Sequence, residues 1–369
     1  MKDNFIRRFW TRIHVDWRLF APAFLISLAG LVTMNSFSDD GGFFSRQSLW
    51  LFLSVIVFFA TTAIDWHFLR RTKVLVSIFL ATLFILVLLL VAAESVRGVE
   101  SWFQFGSFAV QPSELAKLVL VLILAKYFSR RHIEIKNIRH IIVSGTYALV
   151  FFIPVFFQPD FGGAMVIFGI WFGMVLISGI SKKHLGLVVF LALATFAFLW
   201  TAVFAPYQKE RIISFLNPLA DIQGTGYNAY QSTIAVGSGE LFGKGVGQGS
   251  QSKLRFLPEY QTDFIFAAFT EEWGFFGAIL LFALVLFLLL RIMANAETAA
   301  SNFESFVGLG VVIWLFFHIA VHTGMNMGVL PVTGITFPFM SYGGSHLLVE
   351  WFALGILSSM GRRSQGPRL

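Results

Sequence analysis

Four carboxylates gather where a long polar stretch gives way to apolar sequence. The polar, glycine-rich part covers 206–262, and the chain re-enters apolar sequence through LPEYQTDFIFAAFTEE. Asp263 falls at the mouth of an expected membrane helix, with Glu259 just upstream and Glu271 and Glu272 further in. A carboxylate held where water meets lipid is costly unless it is used. Clustered acids raise one another's pKa, which suits a general base, and they can also hold a divalent cation near Asp263 and Glu259. The structural alternative is a cap: Thr262 closes the helix end while Asp263, in the first turn, complements its positive pole.

Other polar motifs punctuate the apolar sequence. In QPSELAKL, Pro112 and Ser113 make a helix start, and Glu114 and Lys117 share one face at i, i+3. They form either a buried ion pair or a site where Lys117 holds an anion such as pyrophosphate. QPDFGG places Asp160 between two spans, as a turn cap or as a further outer carboxylate. From Asn326 to Ser345, Pro331, Pro338 and several glycines forbid a regular spanning helix. Such backbone is tolerated near membrane depth only when buried in protein or lining a cavity, so a re-entrant outer segment is expected, and more weakly over 98–111. The glycine run GSGELFGKGVGQG is no P-loop, because Lys244 is followed by Gly245. His318 and His322, at i, i+4, suit packing or hydrogen bonding better than metal, since no carboxylate follows at metal spacing. Trp102 suits an interfacial anchor.

The elements that must carry these groups are membrane helices. Of 369 residues, 57% are hydrophobic and only 13% charged, against about 25% charged in soluble domains. Apolar runs of membrane-spanning length are expected at 19–37, 47–64, 73–93, 113–128, 140–157, 162–180, 184–205, 263–291, 304–323 and 346–360. The basic first 18 residues and the long run behind them read as a cytoplasmic N-terminus and an anchor helix, not a cleaved signal. With that terminus inside, nineteen Lys and Arg lie on the inner side and seven on the outer, and Lys117 sits within a span. This bias places both termini, including 361–369, in the cytoplasm and the loop 206–262 outside. The net charge of +7 therefore reports topology and not nucleic-acid binding. With no cysteine, there is no disulfide and no thiolate metal site. The expected fold is one all-α polytopic membrane domain over 1–369. It has about ten transmembrane helices, a large extracytoplasmic loop between helices seven and eight, and re-entrant outer segments.

These motifs, in this order, resemble the SEDS family (shape, elongation, division and sporulation) over nearly the whole chain. The most specific stretch runs from Gly226 to Glu272, joined by QPSELAKL, QPDFGG, YQKERIISFLNP and PFMSYGGS. The resemblance implies a peptidoglycan glycosyltransferase of the bacterial inner membrane that polymerises lipid II onto a glycan linked to undecaprenyl pyrophosphate. GYN..QS and GSQSKLRFLPE favour the elongation branch over the division branch. The family's essential aspartate falls on Asp263. Its QPSE acid and base fall on Glu114 and Lys117, its QPD aspartate on Asp160, and its basic residue after PYQ on Arg211. Glu259 and Ser341 join these as supporting residues. A divalent cation such as Mg2+ or Mn2+ is compatible with the site and no nucleotide is expected. The implied partners are membrane lipids and a class B penicillin-binding protein, a single-span transpeptidase, with no nucleic acid. One departure stands out: the family's Arg–Trp pair is replaced by Ser101–Trp102, so Arg97 is a candidate substitute. The competing readings are a lipid II flippase, which would want polar residues at both membrane depths, and a scaffold for the transpeptidase, which would leave Asp263, Glu114 and Lys117 unexplained.

Overall fold

The computed structural model describes residues 15–36, 42–92, 102–105, 108–130, 138–217, 226–254 and 256–364. Arg97, Ser101, Arg255 and both chain ends beyond these limits lie outside the described residues. Ten helices match the ten expected runs: α1 (Trp17–Ser36), α2 (Phe43–Ala63), α3 (Thr72–Ala92), α4 (Pro112–Ser129), α5 (Ile138–Phe157), α6 (Phe161–Ile177), α7 (Lys182–Phe198), α11 (Ile265–Glu297), α12 (Asn302–Asn326) and α13 (Gly344–Ser364). Seven of them are long and apolar enough to cross a membrane, α6 is a shorter apolar helix, and α4 and α13 fall outside both groups. Within the stretch 206–262 lie three further helices among the described residues, α8 (Pro206–Leu216), α9 (Tyr227–Ser238) and the single turn α10 (Ser250–Lys253).

α4 is the hub. It packs against α3, α5, α6, α12 and α13, and nearly all its residues from Pro112 to Ala125 are buried. A helix apolar all round belongs in such a position, and Glu114 and Lys117 are carried into the core with it. Around the hub, α13 lies along α2, α11 against α1 and α12, and α12 against α6. α7 stands at the rim, with Val188 its one buried residue. At the far end of α11, Arg291 and Asn295 grip Asp16, the arginine at 2.8 Å.

Two expectations change. Part of 98–111 forms a two-stranded antiparallel hairpin, β1 (Phe103–Phe105) with β2 (Phe108–Val110), where an irregular segment was expected. Glu271 and Glu272 do not crowd Asp263, because the glycine run captures them at a break in α11. At Gly274 (φ 66°, ψ −165°) the helix stops and restarts. The N–H groups of Phe275 and Phe276 donate to Glu240 O (2.9 Å) and Leu241 O (3.1 Å). The carbonyls of Glu271 and Glu272, which a continuous helix would have paired with them, accept from Lys244 N (2.9 Å) and Gly245 N (3.0 Å). The Glu271 carboxylate then accepts from Lys244 Nζ (2.8 Å), Gln251 N (3.0 Å) and the hydroxyls of Ser250 and Ser252, and Glu272 accepts from Gly247 N (2.7 Å).

The glycines at this joint have a steric reason. A Cβ on Gly274 would lie 2.2 Å from Gly243 N, and one on Gly243 would lie 2.1 Å from Glu272 O. Gly274→Ala and Gly243→Ala are each expected to push the loop out of the break and to lower stability by about 1–3 kcal/mol. Thermal melting of the detergent-solubilised protein checks this, and an unchanged melting temperature in both variants would contradict it.

Candidate functional site

The turn that carries Asp263 precedes α11 and is not its first turn. Glu259 adopts a left-handed backbone (φ 50°). Its carbonyl thereby accepts from the N–H groups of Thr262 (3.1 Å), Asp263 (3.1 Å) and Phe264 (3.3 Å). Thr262 is not the helix cap it could have been: its hydroxyl turns back to Glu259 O at 3.2 Å. Three outward-facing carbonyls remain, and other segments hold each one. Gln261 O accepts from Tyr342 N (2.7 Å), Thr262 O from Ser341 Oγ (2.8 Å) and Asp263 O from Asn326 Nδ2 (2.9 Å). Ser341, fully buried, therefore supports the turn from beneath. Its hydroxyl also accepts from Phe337 N and its carbonyl from Gln47 Nε2.

This folding gathers Asp263, Glu259 and Arg211. The Asp263 carboxyl is pushed up from 3.8 to about 7, chiefly because it is withdrawn from water and secondarily because Glu259 is charged beside it; Arg211 and the Thr262 hydroxyl pull it down. Gly334 (φ 70°) lies against the carboxylate, where a Cβ would meet Oδ2 at 3.4 Å. Arg211 also lines a small open pocket with Phe161, Phe204, Ile212, Pro331 and Val332. A guanidinium over an apolar wall suits an anion attached to a hydrocarbon chain.

Glu114, Lys117 and Asp160 form a second group. Glu114 and Lys117, both buried, pair at 2.7 Å. Lys117 also lies 3.3 Å from His318 Nε2, while His318 Nδ1 is 3.1 Å from Thr336 O. A carbonyl can only accept, so Nδ1 carries the proton and Nε2 accepts from the ammonium. Lys117 is therefore engaged in the core with Glu114 and His318, the ion-pair arrangement of the two expected. Asp160 caps α6 through Gly163 N (2.7 Å) and accepts from Gln111 Nε2 (3.1 Å) and Ser113 Oγ (3.3 Å), tying QPD to QPSE. Burial pushes the Asp160 carboxyl up, with the Lys117 charge opposing. His322 Nδ1 likewise meets Ile335 O at 2.6 Å.

No group of three or more His, Asp or Glu that could hold a metal occurs among the described residues. Asp263 and Glu259 can contribute two carboxylates, enough for Mg2+ or Mn2+ only when phosphate oxygens and water complete the shell. The residues that sequence reasoning passed over are the ones holding the turn. Asn326 figured only as the start of an irregular segment, and Gln261, Tyr342 and Gly334 only as unremarked members of longer stretches. Their contacts join positions some sixty to eighty residues apart, and no local pattern announces them.

These features define a class: a multi-pass helical membrane protein with a carboxylate turn at the head of a broken helix. The family of cell-cycle proteins that groups FtsW, RodA and SpoVE matches residues 10–366, and the chain belongs to it, the SEDS family. The chain is 35% identical to the probable peptidoglycan glycosyltransferase FtsW of Haemophilus influenzae, over 94% of this chain and 92% of the relative. It is 32% identical to the peptidoglycan glycosyltransferase MrdB of Escherichia coli, over 98% and 97%. Rod shape determining protein RodA of Thermus thermophilus superposes with a TM-score of 0.72 at 28% identity, covering 96% of this chain and 99% of that one. A chain from a peptidoglycan synthase complex that coordinates polymerization and crosslinking superposes with a TM-score of 0.82 at 30% identity, covering 96% and 100%.

Glu114→Gln strands the Lys117 ammonium in the core and is expected to cost about 3–5 kcal/mol. Adding Lys117→Met should restore most of that, because the buried charge is then gone. A double-mutant cycle by chemical denaturation measures both steps, and additive losses would refute the pairing.

Proposed function

We propose that this chain is a peptidoglycan glycosyltransferase that polymerises lipid II into β-1,4 glycan during cell elongation, with Asp263 as general base. The observation that carries the reading is the carboxyl of Asp263, pushed up to about 7 beside Glu259 and Arg211. A base works best when its pKa lies near the operating pH. Family membership and the relatives named as peptidoglycan glycosyltransferases support the activity class. The assignment to elongation rests on GYN..QS and GSQSKLRFLPE, and division is the alternative branch. The outward orientation of Asp263 rests on the asymmetry of Lys and Arg. A class B penicillin-binding protein is the proposed partner, by analogy with the synthase complex.

The chemistry follows from the groups in the turn. The 4-hydroxyl of the acceptor sugar gives its proton to the Asp263 carboxylate as its oxygen bonds to the anomeric carbon of the donor. The bond from that carbon to the pyrophosphate oxygen breaks, and the lipid pyrophosphate leaves with both electrons. Displacement from an α-phosphate gives the β bond directly, with no covalent intermediate on the enzyme. Arg211, which lines an apolar pocket, offsets the leaving group's charge. A divalent cation arriving with the pyrophosphate would be held by Asp263 and Glu259 and would supply further charge neutralisation.

Asp263→Asn should lower polymerisation of fluorescent lipid II at least about 100-fold in the purified protein with its transpeptidase partner. Near wild-type polymer from the variant would remove the base. The pH dependence has a definite sign: only ionised Asp263 acts, so kcat/KM should fall about tenfold per pH unit below 7 and level off above it. Glu259→Gln removes a charge that raises the Asp263 pKa, so it should move this limb to lower pH. The same shift costs folding stability. The native state holds the proton more tightly than the unfolded chain, so stability should fall as pH rises from about 4 through 7, and the fall should be smaller in Asp263→Asn. Thermal melts of both proteins across that range test it.

A further inference from the structure

The base is attached to a helix end that lacks a local cap. α11 begins at Ile265 with Phe264 in the cap position, where no side chain can accept a hydrogen bond. Thr262, the nearest hydroxyl, is turned toward Glu259. The first N–H groups of a helix have no intrahelical acceptor, and leaving one buried and unpaired is costly. The acceptor comes instead from Asn326, the last residue of α12. Its Oδ1 accepts from Ala267 N at 3.1 Å. Its Nδ2 donates to Asp263 O at 2.9 Å and to His322 O at 2.8 Å. The side chain is fully buried. Two carbonyls can only accept and one N–H can only donate, so the carboxamide has a single permitted orientation. A third element joins the same residue: Ser232 of α9 donates from Oγ to Asn326 O at 2.9 Å.

We infer that Asn326 is a positioning residue for the reaction, fixing where the Asp263 carboxylate stands relative to α11 and the outer loop. The inference rests on the reading of Asp263 as general base. One rigid amide plane grips both the carbonyl of the base's own peptide and the N–H of Ala267, the third residue of the helix that follows. No other common side chain reproduces the pattern. Aspartate keeps the acceptor for Ala267 but sets a carboxylate against two carbonyl oxygens. Alanine leaves Ala267 N, Asp263 O and the space between them without a partner. The carboxylate of Asp263 would still be present in either variant, but its own peptide would lose the contact that fixes it to α12, while Ser341 and Tyr342 hold the residues before it. Misplacement of a catalytic group by about 1 Å can cost on the order of 100-fold in rate. The loss should appear in turnover, because Asn326 is buried behind the turn and touches no substrate.

The test measures lipid II polymerisation by the full chain with its transpeptidase partner for wild type, Asn326→Asp, Asn326→Ala, Asp263→Asn and Asp263→Asn/Asn326→Asp. Expected are a fall in kcat of at least about 30-fold for both Asn326 variants, a KM within about threefold of wild type, and a retained cooperative thermal transition. The double variant should be no slower than Asp263→Asn alone, since a misplaced residue that is no longer a base has nothing further to lose. A kcat within about threefold of wild type in both Asn326 variants overturns the inference while leaving the base in place. Loss of the thermal transition together with activity in both variants assigns Asn326 to folding and overturns it as well. Wild-type turnover by Asp263→Asn removes the base itself, and with it the reading on which the inference stands.

Discussion

Backbone polar groups that leave regular structure inside a membrane bundle must find partners within the protein, because lipid offers none. The site is arranged around that requirement. At Gly274 a helix is broken and the loop 240–245 pairs the four groups set free. Between α12 and α13 the chain runs from Met327 to Gly343 without helix or strand, yet Phe337, Phe339, Met340 and Ser341 are almost wholly buried. The polar groups of this segment are spent on neighbours: Thr336 O and Ile335 O take the imidazoles of α12, Phe339 N donates to Glu350, and Tyr342 N and Ser341 Oγ hold the Asp263 turn. The irregular backbone is thus the mould in which the turn is cast, and it is stable because casting the turn satisfies it.

The same constraint separates two sets of acids that are alike in composition. Glu271 is surrounded by ammonium, N–H and hydroxyl donors, and Glu272 accepts from Gly247 N, so that the pair ties the loop down. Asp263 is given backbone support for its peptide, while its carboxyl is withdrawn from water beside the Glu259 charge, with Arg211 opposing. Donors to a carboxylate favour its ionised form; withdrawal from water and a like charge beside it favour the protonated one. The second arrangement is the less stable one at neutral pH.

Much of this was legible in the sequence and some was not. Helices follow from runs of apolar residues, so each of the ten expected runs falls on a helix, with the ends of α7 and α11 the furthest from expectation. The Glu114–Lys117 pair follows from i, i+3 spacing, and the irregular segment from Pro331 and Pro338. What failed was reasoning from adjacency. Glu271 and Glu272 lie close to Asp263 in sequence, but the helix turns them toward the glycine run, whose hold on them depends on positive φ at Gly243, Gly245 and Gly247. Thr262 looked like a cap because it precedes a helix, yet left-handed Glu259 curls the chain so that its hydroxyl faces backward. The true cap, Asn326, is separated from Ala267 by most of two helices.

The buried pair bears on what the fold can do. A carrier needs polar groups at depth that can release their partners and meet a passing headgroup. Here Lys117 is held by Glu114 and by a histidine whose tautomer is set by Thr336, and Asp160 is held by Gly163, Gln111 and Ser113. Moving any of them would strand a charge or an unpaired donor in the core, at a cost of several kcal/mol. Asp263, Glu259 and Arg211 form a separate group, with Arg211 lining an apolar pocket. That division, locked charge in one group and a half-buried carboxylate of raised pKa in the other, is compatible with the glycosyltransferase activity of the family.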